Sequence, residues 1–85
     1  MELTTDLLLQ FKEVKGFFPS YLIGMKPDVF LIIKSPTIIA AENLLSEGSS
    51  LVVRYTLLGD VYRFKTQVLG TAGDPFKVTF LSYPR

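Results

Sequence analysis

The stretch Leu51-Val52-Val53-Arg54-Tyr55-Thr56-Leu57-Leu58-Gly59-Asp60-Val61-Tyr62-Arg63-Phe64-Lys65-Thr66-Gln67-Val68 decides the fold. In its first half Leu51, Val53, Tyr55 and Leu57 fall on one face of an extended chain, and Val52, Arg54 and Thr56 on the other. Successive side chains of a strand point to opposite faces, so a period of two predicts a β-strand. Leu58-Gly59-Asp60 supplies a turn. The returning segment puts Tyr62, Phe64, Thr66 and Val68 on one face and Arg63, Lys65 and Gln67 on the other. An antiparallel hairpin is expected, with one face in the core and one in water.

The same alternation extends outward in both directions. Towards the N-terminus, Leu7, Leu9 and Phe11 alternate with Leu8, Gln10 and Lys12, and a turn near Lys15-Gly16 leads to a second strand around Ser20 to Met25. Lys26-Pro27-Asp28 is a turn signal, because proline presets φ. Val29 to Lys34 follows as a strand apolar on both faces, hence central, and Pro36 stops it. Towards the C-terminus, the loop Gly70 to Pro75 feeds a last strand, Phe76 to Tyr83, with Phe76, Val78 and Phe80 expected inward and Lys77 and Thr79 outward. Only Thr37 to Glu47 breaks the pattern: Ile38, Ala41 and Leu45 recur at helical spacing between a capping Thr37 and Gly48, which predicts one short helix or helical turn.

Five or six antiparallel strands in 85 residues form one domain, all-β. Curling into a small barrel protects the two edges that an open sheet would leave unpaired. No sequence repeat or low-complexity segment interrupts the chain.

The 85 residues contain no cysteine and no histidine, so disulfides, Cys/His zinc sites, imidazole bases and Ser-His-Asp triads are all excluded. A formal charge of +1 is too small to attract a phosphate backbone over distance, and nucleic acid is not expected as a partner. The longest apolar run, Val29 to Ile33, is far shorter than the ~20 residues of a spanning helix. Glu2 and Asp6 stand where a signal peptide is basic, and a cytoplasmic location is expected.

Chemistry could hide in a few places. Gly70 to Gly73 lacks the Lys-Ser/Thr of a phosphate loop, and Glu42, Glu47, Asp60 and Asp74 have no spacing that suits a metal, so no catalytic, cofactor or metal residue is assigned. Arg54, Arg63, Lys65 and Lys77 come from neighbouring predicted strands and gather on the outer surface, where they either meet an anion or an acidic partner or simply keep the sheet soluble. Aromatics beside these cations are expected to pack the core rather than stack bases.

The order of the motifs carries more than any one of them. Ser20-Tyr-Leu-Ile-Gly24, Val29 to Pro36, Glu47-Gly48 before Leu51 to Tyr55, Tyr62-Arg-Phe-Lys-Thr-Gln-Val68 and Val78-Thr-Phe-Leu-Ser-Tyr-Pro84 form one ordered set. Together they resemble the N-terminal domain of YcgR-type flagellar brake proteins, the module that precedes a PilZ domain, over about Leu7 to Pro84. The resemblance implies a small antiparallel split β-barrel of about six strands that regulates bacterial motility, or a related surface behaviour, through contacts rather than catalysis. It further implies a following PilZ domain as partner, a flagellar motor or other motility protein as a second one, and no cofactor in the barrel itself.

In that family cyclic-di-GMP is held mainly by the PilZ domain and its linker, through an Arg-x-x-x-Arg stretch and an Asp/Asn-x-Ser-x-x-Gly motif. Neither motif stands in these residues, and Arg54 and Arg63 lie on different strands, so they do not match that pair. The resemblance thus makes the 85 residues the N-terminal part of a longer PilZ protein, with Arg85 at the hinge end. Two other classes stay open: a flavin-binding split barrel, on the shape of the expected fold, and a nucleic-acid-binding β-barrel, on aromatics near basic residues.

Overall fold

The computed structural model describes residues 5–12, 14–36, 45–73 and 76–83. Its strands are β1 (Asp6–Phe11), β2 (Phe18–Lys26), β3 (Phe30–Lys34), β4 (Ser50–Leu57), β5 (Asp60–Ala72) and β6 (Val78–Ser82). They close in the order β1-β2-β3-β6-β5-β4, every neighbour antiparallel. No helix occurs among the described residues. The predicted helical segment lies outside them for residues 37–44, and Leu45 to Gly48 is a turn.

Two long strands make closure possible. The start of β2 pairs with β1 and its end with β3, while the start of β5 pairs with β4 and its end with β6. Each therefore belongs to two sheets: sheet 1 contains β1 and β4, sheet 2 contains β3 and β6. The corner falls at the same motif in both strands, where the register shifts between Leu22 and Gly24 in β2 and between Val68 and Gly70 in β5. An extra residue in a strand bends it and raises its twist, which is what turning from one sheet to the other requires.

These corners reveal an internal two-fold relation. The β1-β2-β3 meander superposes in register on β4-β5-β6: Leu7 corresponds to Leu51, Ser20 to Thr66, Leu22 to Val68, and Ile33 to Leu81. The β1-β4 pair Leu9↔Val53 and the β3-β6 pair Ile32↔Phe80 map onto themselves, so the axis passes through both. A hydroxyl two residues before each corner fastens the end of the following strand. Ser20 Oγ donates to the Lys34 carbonyl at 2.6 Å, and Thr66 Oγ1 donates to the Ser82 carbonyl at 2.7 Å. Both hydroxyl residues are buried, where an unpaired polar group is costly, so each bond is obligatory rather than decorative.

The core lies between the sheets: Leu7, Leu9, Phe11, Leu22, Leu31, Ile33, Leu51, Val53, Val68 and Leu81 are buried. The alternation of the first strand is thus as expected. The last strand is inverted relative to its sequence pattern. Thr79 and Leu81 point inward, while Val78 and Phe80 are only half-buried on the outside. With Phe80 and Leu81 adjacent, both faces are apolar, and period two does not choose between them. Burial of Thr79 is made tolerable by a 2.8 Å hydrogen bond between its hydroxyl and that of Ser35, and Phe80 finds an external partner in the edge of Phe30, 5.5 Å between centroids. Phe76, also expected inward, is exposed.

The β4-β5 hairpin turns on two residues, with Leu57 still paired to Asp60. Leu58 and Gly59 both have positive φ, 52° and 85°, the geometry of tight hairpins that normally selects Asn-Gly. Leu58 is 94% exposed there, so nothing in the core compensates its strained backbone. Leu58→Asn is expected to stabilise the domain by about 0.5–1 kcal/mol in urea unfolding. Ser20→Ala and Thr66→Val are each expected to cost about 1–2 kcal/mol. Their hydroxyls share no partner, so the double variant should lose the sum to within about 0.5 kcal/mol; a much smaller loss would show that the two fastenings are not independent.

Candidate functional site

Among the described residues the core is aliphatic and phenyl side chains, and its buried hydroxyls are already hydrogen-bonded. No group of three His, Cys, Asp or Glu gathers among the described residues. What remains is the outside, and there sheet 1 differs from an ordinary solvated face.

Arg54 of β4 lies directly between Leu8 of β1 and Arg63 of β5. Two arginines opposite one another on neighbouring strands repel, since directly paired side chains are about 4.5–5.5 Å apart at Cβ. One carboxylate would relieve them. Asp6 is on the same face, yet among the described residues neither arginine has an ion pair. Arg54 instead lays its guanidinium over the Phe17 ring, Cζ 4.6 Å from the centroid. Its Nε is buried and, among the described residues, has no hydrogen-bond partner. Lys65 pairs with Val52 beside them and extends the cationic strip.

The expected row of cations is therefore divided. Arg54, Arg63 and Lys65 share the outer face of sheet 1. Lys77 lies just ahead of β6 in the other sheet, beside the Ala72 end of β5, and its carbonyl accepts a hydrogen bond from the Ser35 N–H. It does not join them. Arg85 lies outside the described residues.

Apolar groups surround the arginines. Leu8, Phe17, Tyr21 and Val61 are all exposed on or beside this face. At the hairpin end Tyr55 stacks on Tyr62, centroids 5.4 Å apart and planes inclined by 18°. Tyr62 is 44% exposed, although alternation assigned it to the core, because the hairpin tip extends past the last buried layer. Sequence reasoning missed Phe17 altogether: it precedes β2 and only the folded chain brings it to Arg54.

Two concavities sit at opposite rims of the barrel, in corresponding positions of the two halves. The larger, about 1090 Å³, has Phe11 and Leu51 as its floor and Lys12, Lys15, Lys65, Gln67 and Tyr83 on its walls. The smaller, about 510 Å³, is lined by Asp6, Leu8, Pro19, Arg54 and Thr56 among others, and opens beside the arginine pair.

Comparison with known proteins gives this barrel its relatives. A family model, PilZNR, described as flagellar protein YcgR, matches residues 3–84. The chain belongs to this family. Among solved structures it is similar to the Bacillus subtilis inhibitor of motility MotI/DgrA, with a TM-score of 0.76 at 20% identity, covering 100% of this chain and 43% of that one. At that identity the likeness speaks for the fold, and the chain spans less than half the length of that protein. No curated protein matches the chain significantly. The PilZNR barrel has no helix, among its described residues, long and apolar enough to cross a membrane.

The stacking of Arg54 on Phe17 has a measurable consequence. Phe17→Leu keeps the apolar cover but removes the ring, and is expected to cost about 0.5–1 kcal/mol in urea unfolding. Arg54→Met in the same background should then produce little further loss from the missing charge–ring contact, which a double-mutant cycle reads directly.

Proposed function

We propose that this PilZNR barrel is a non-catalytic regulatory module of a cyclic-di-GMP-responsive motility protein. The observation that carries this is the family match over nearly the whole chain, on a barrel whose inside is filled and whose distinctive chemistry is on its surface. The likeness to a motility inhibitor over less than half of that protein's length supports a module that works within a longer protein, here read as a cytoplasmic PilZ protein.

In this reading cyclic-di-GMP is captured mainly by a PilZ domain and its linker following the barrel. Capture changes how the two domains sit, and the barrel's outer surface is thereby presented to, or withdrawn from, a protein of the motility apparatus. A ligand drives such a change only through unequal affinity for the two arrangements, with the barrel moving as a rigid body. The test is genetic. Deleting the encoding gene should abolish the fall in swimming speed produced by raised cyclic-di-GMP, and supplying the gene should restore it; equal slowing in both strains would overturn the proposal.

The non-catalytic reading also separates this barrel from flavin-binding ones of similar shape. Titration with flavin mononucleotide to high micromolar concentration is expected to leave flavin fluorescence unquenched. Saturable quenching would instead assign it a cofactor.

A further inference from the structure

We propose that the outer face of sheet 1, centred on Arg54 and Arg63, docks a carboxylate-bearing surface of another protein. This rests on the regulatory reading above and names the chemistry of its partner. The first argument is electrostatic. Among the described residues, Arg54, Arg63 and Lys65 share a face whose only acid is Asp6, the two arginines are cross-strand neighbours, and neither is ion-paired. A carboxylate placed between two guanidinium groups accepts charge-assisted hydrogen bonds from both and removes their repulsion. Arg63 is exposed, so its guanidinium is open to such a carboxylate.

The second argument comes from the internal two-fold. The positions corresponding to Arg54 and Arg63 in the other half are Gln10 and Phe17. The two halves share the pairing that closes the barrel as far as Leu9↔Phe18 in one and Val53↔Phe64 in the other, and Arg54↔Arg63 lies one step beyond that shared ladder, so it is not demanded by closure. The barrel would fold with less electrostatic opposition without the opposed arginines.

The surroundings select protein over other anions. Leu8, Phe17, Tyr21 and Val61 give the face exposed apolar area next to its arginines, and the 510 Å³ concavity beside Arg54 can receive a side chain. Arginine with aromatic neighbours is what protein interfaces concentrate at their centres. Phosphate polymers and anionic membranes call for a broader field of cations than a chain of net charge +1 provides.

The experiment places a photo-crosslinking amino acid at Val61 of the full-length protein in its native cell, with a second version at the exposed Leu69, on the corner of β5 six residues beyond Arg63, as a distant control, and sequences the cross-linked species. The expected product is a peptide of one partner protein with an Asp or Glu at the contact, at least tenfold above the control. Arg63→Glu should reduce it at least tenfold, and changing the partner's carboxylate to lysine should restore it. The same Arg63→Glu places a carboxylate opposite Arg54 and should raise the melting temperature of the purified protein by about 2–4 °C.

Greater stability with lost docking is a combination that a merely structural arginine does not give. Cross-links to nucleic acid or lipid alone, a yield no higher than at Leu69, insensitivity to Arg63→Glu, or a lower melting temperature would each overturn the proposal. Cross-linking is read without reference to swimming, so a gene without effect on motility would refute the regulatory reading and leave this result standing on its own.

Discussion

Closure of the barrel depends on bending two strands through a corner without leaving backbone groups unpaired. A strand that changes sheets loses its ladder partner at the bend, and a buried carbonyl or N–H without a partner costs as much as a lost hydrogen bond. Here the register shift absorbs the extra residue, and ladders resume at once on the other side: Leu22↔Ile33 and Gly24↔Ile32 in one half, Val68↔Leu81 and Gly70↔Phe80 in the other. The hydroxyls of Ser20 and Thr66 then hold the carbonyls at which β3 and β6 end. Without these features the two sheets would expose four edges and one apolar face each.

The rest of the molecule follows from that closure. Six strands encircle a core of aliphatic side chains with Phe11 among them, and the outward positions stand apart from that core. Outward residues can then be chosen for something other than stability. The aromatic pair Phe30–Phe80 and the guanidinium of Arg54 on Phe17 lie outside the core, and Tyr62 stacks beyond its rim on Tyr55, which packs against it. Their contacts hold side chains in fixed positions on the surface, and a preorganised surface loses less entropy when something docks on it.

Most of the architecture was legible in the chain, because period-two alternation is dictated by the pleat itself. Leu7, Leu9 and Phe11 inward, and Thr66 and Val68 opposite Leu51 and the Ser49–Ser50 segment, follow from spacing alone. The method failed where its signal was ambiguous. Val78 to Ser82 has large apolar groups on both faces, so the choice rested on Thr79, whose burial depends on Ser35 at a sequence distance of 44 residues. Tyr62 failed for a different reason: alternation tells which face a residue is on, but not how far the core extends along the strand. The two-fold relation left traces in Leu22-Ile23-Gly24 and Val68-Leu69-Gly70, each preceded at the same spacing by a hydroxyl residue, yet side chains elsewhere diverge too far for a repeat to be seen without the pairing register. At the candidate site, Arg54, Arg63 and Lys65 were legible as one face, while Phe17 and the exclusion of Lys77 were not, since both depend on tertiary placement.

A barrel of this construction constrains how a signal can pass through it. Neither three-stranded half can bury its apolar face alone, so each half is stable only against the other, and the unfolding of one removes the core of both. Packed interiors of this kind are not continuously deformable, and small displacements at one rim do not travel as graded strain to the other. The outward face of sheet 1 therefore keeps one arrangement whether or not anything is bound at the opposite end. In the proposed reading, regulation acts on access to that face, through the position of whatever covers it, and not on its shape. In that reading the energy available is the difference between contacts made when the face is covered and when it is open, and the opposed arginines, repelling when open and bridged by a carboxylate when covered, are where sheet 1 concentrates that difference.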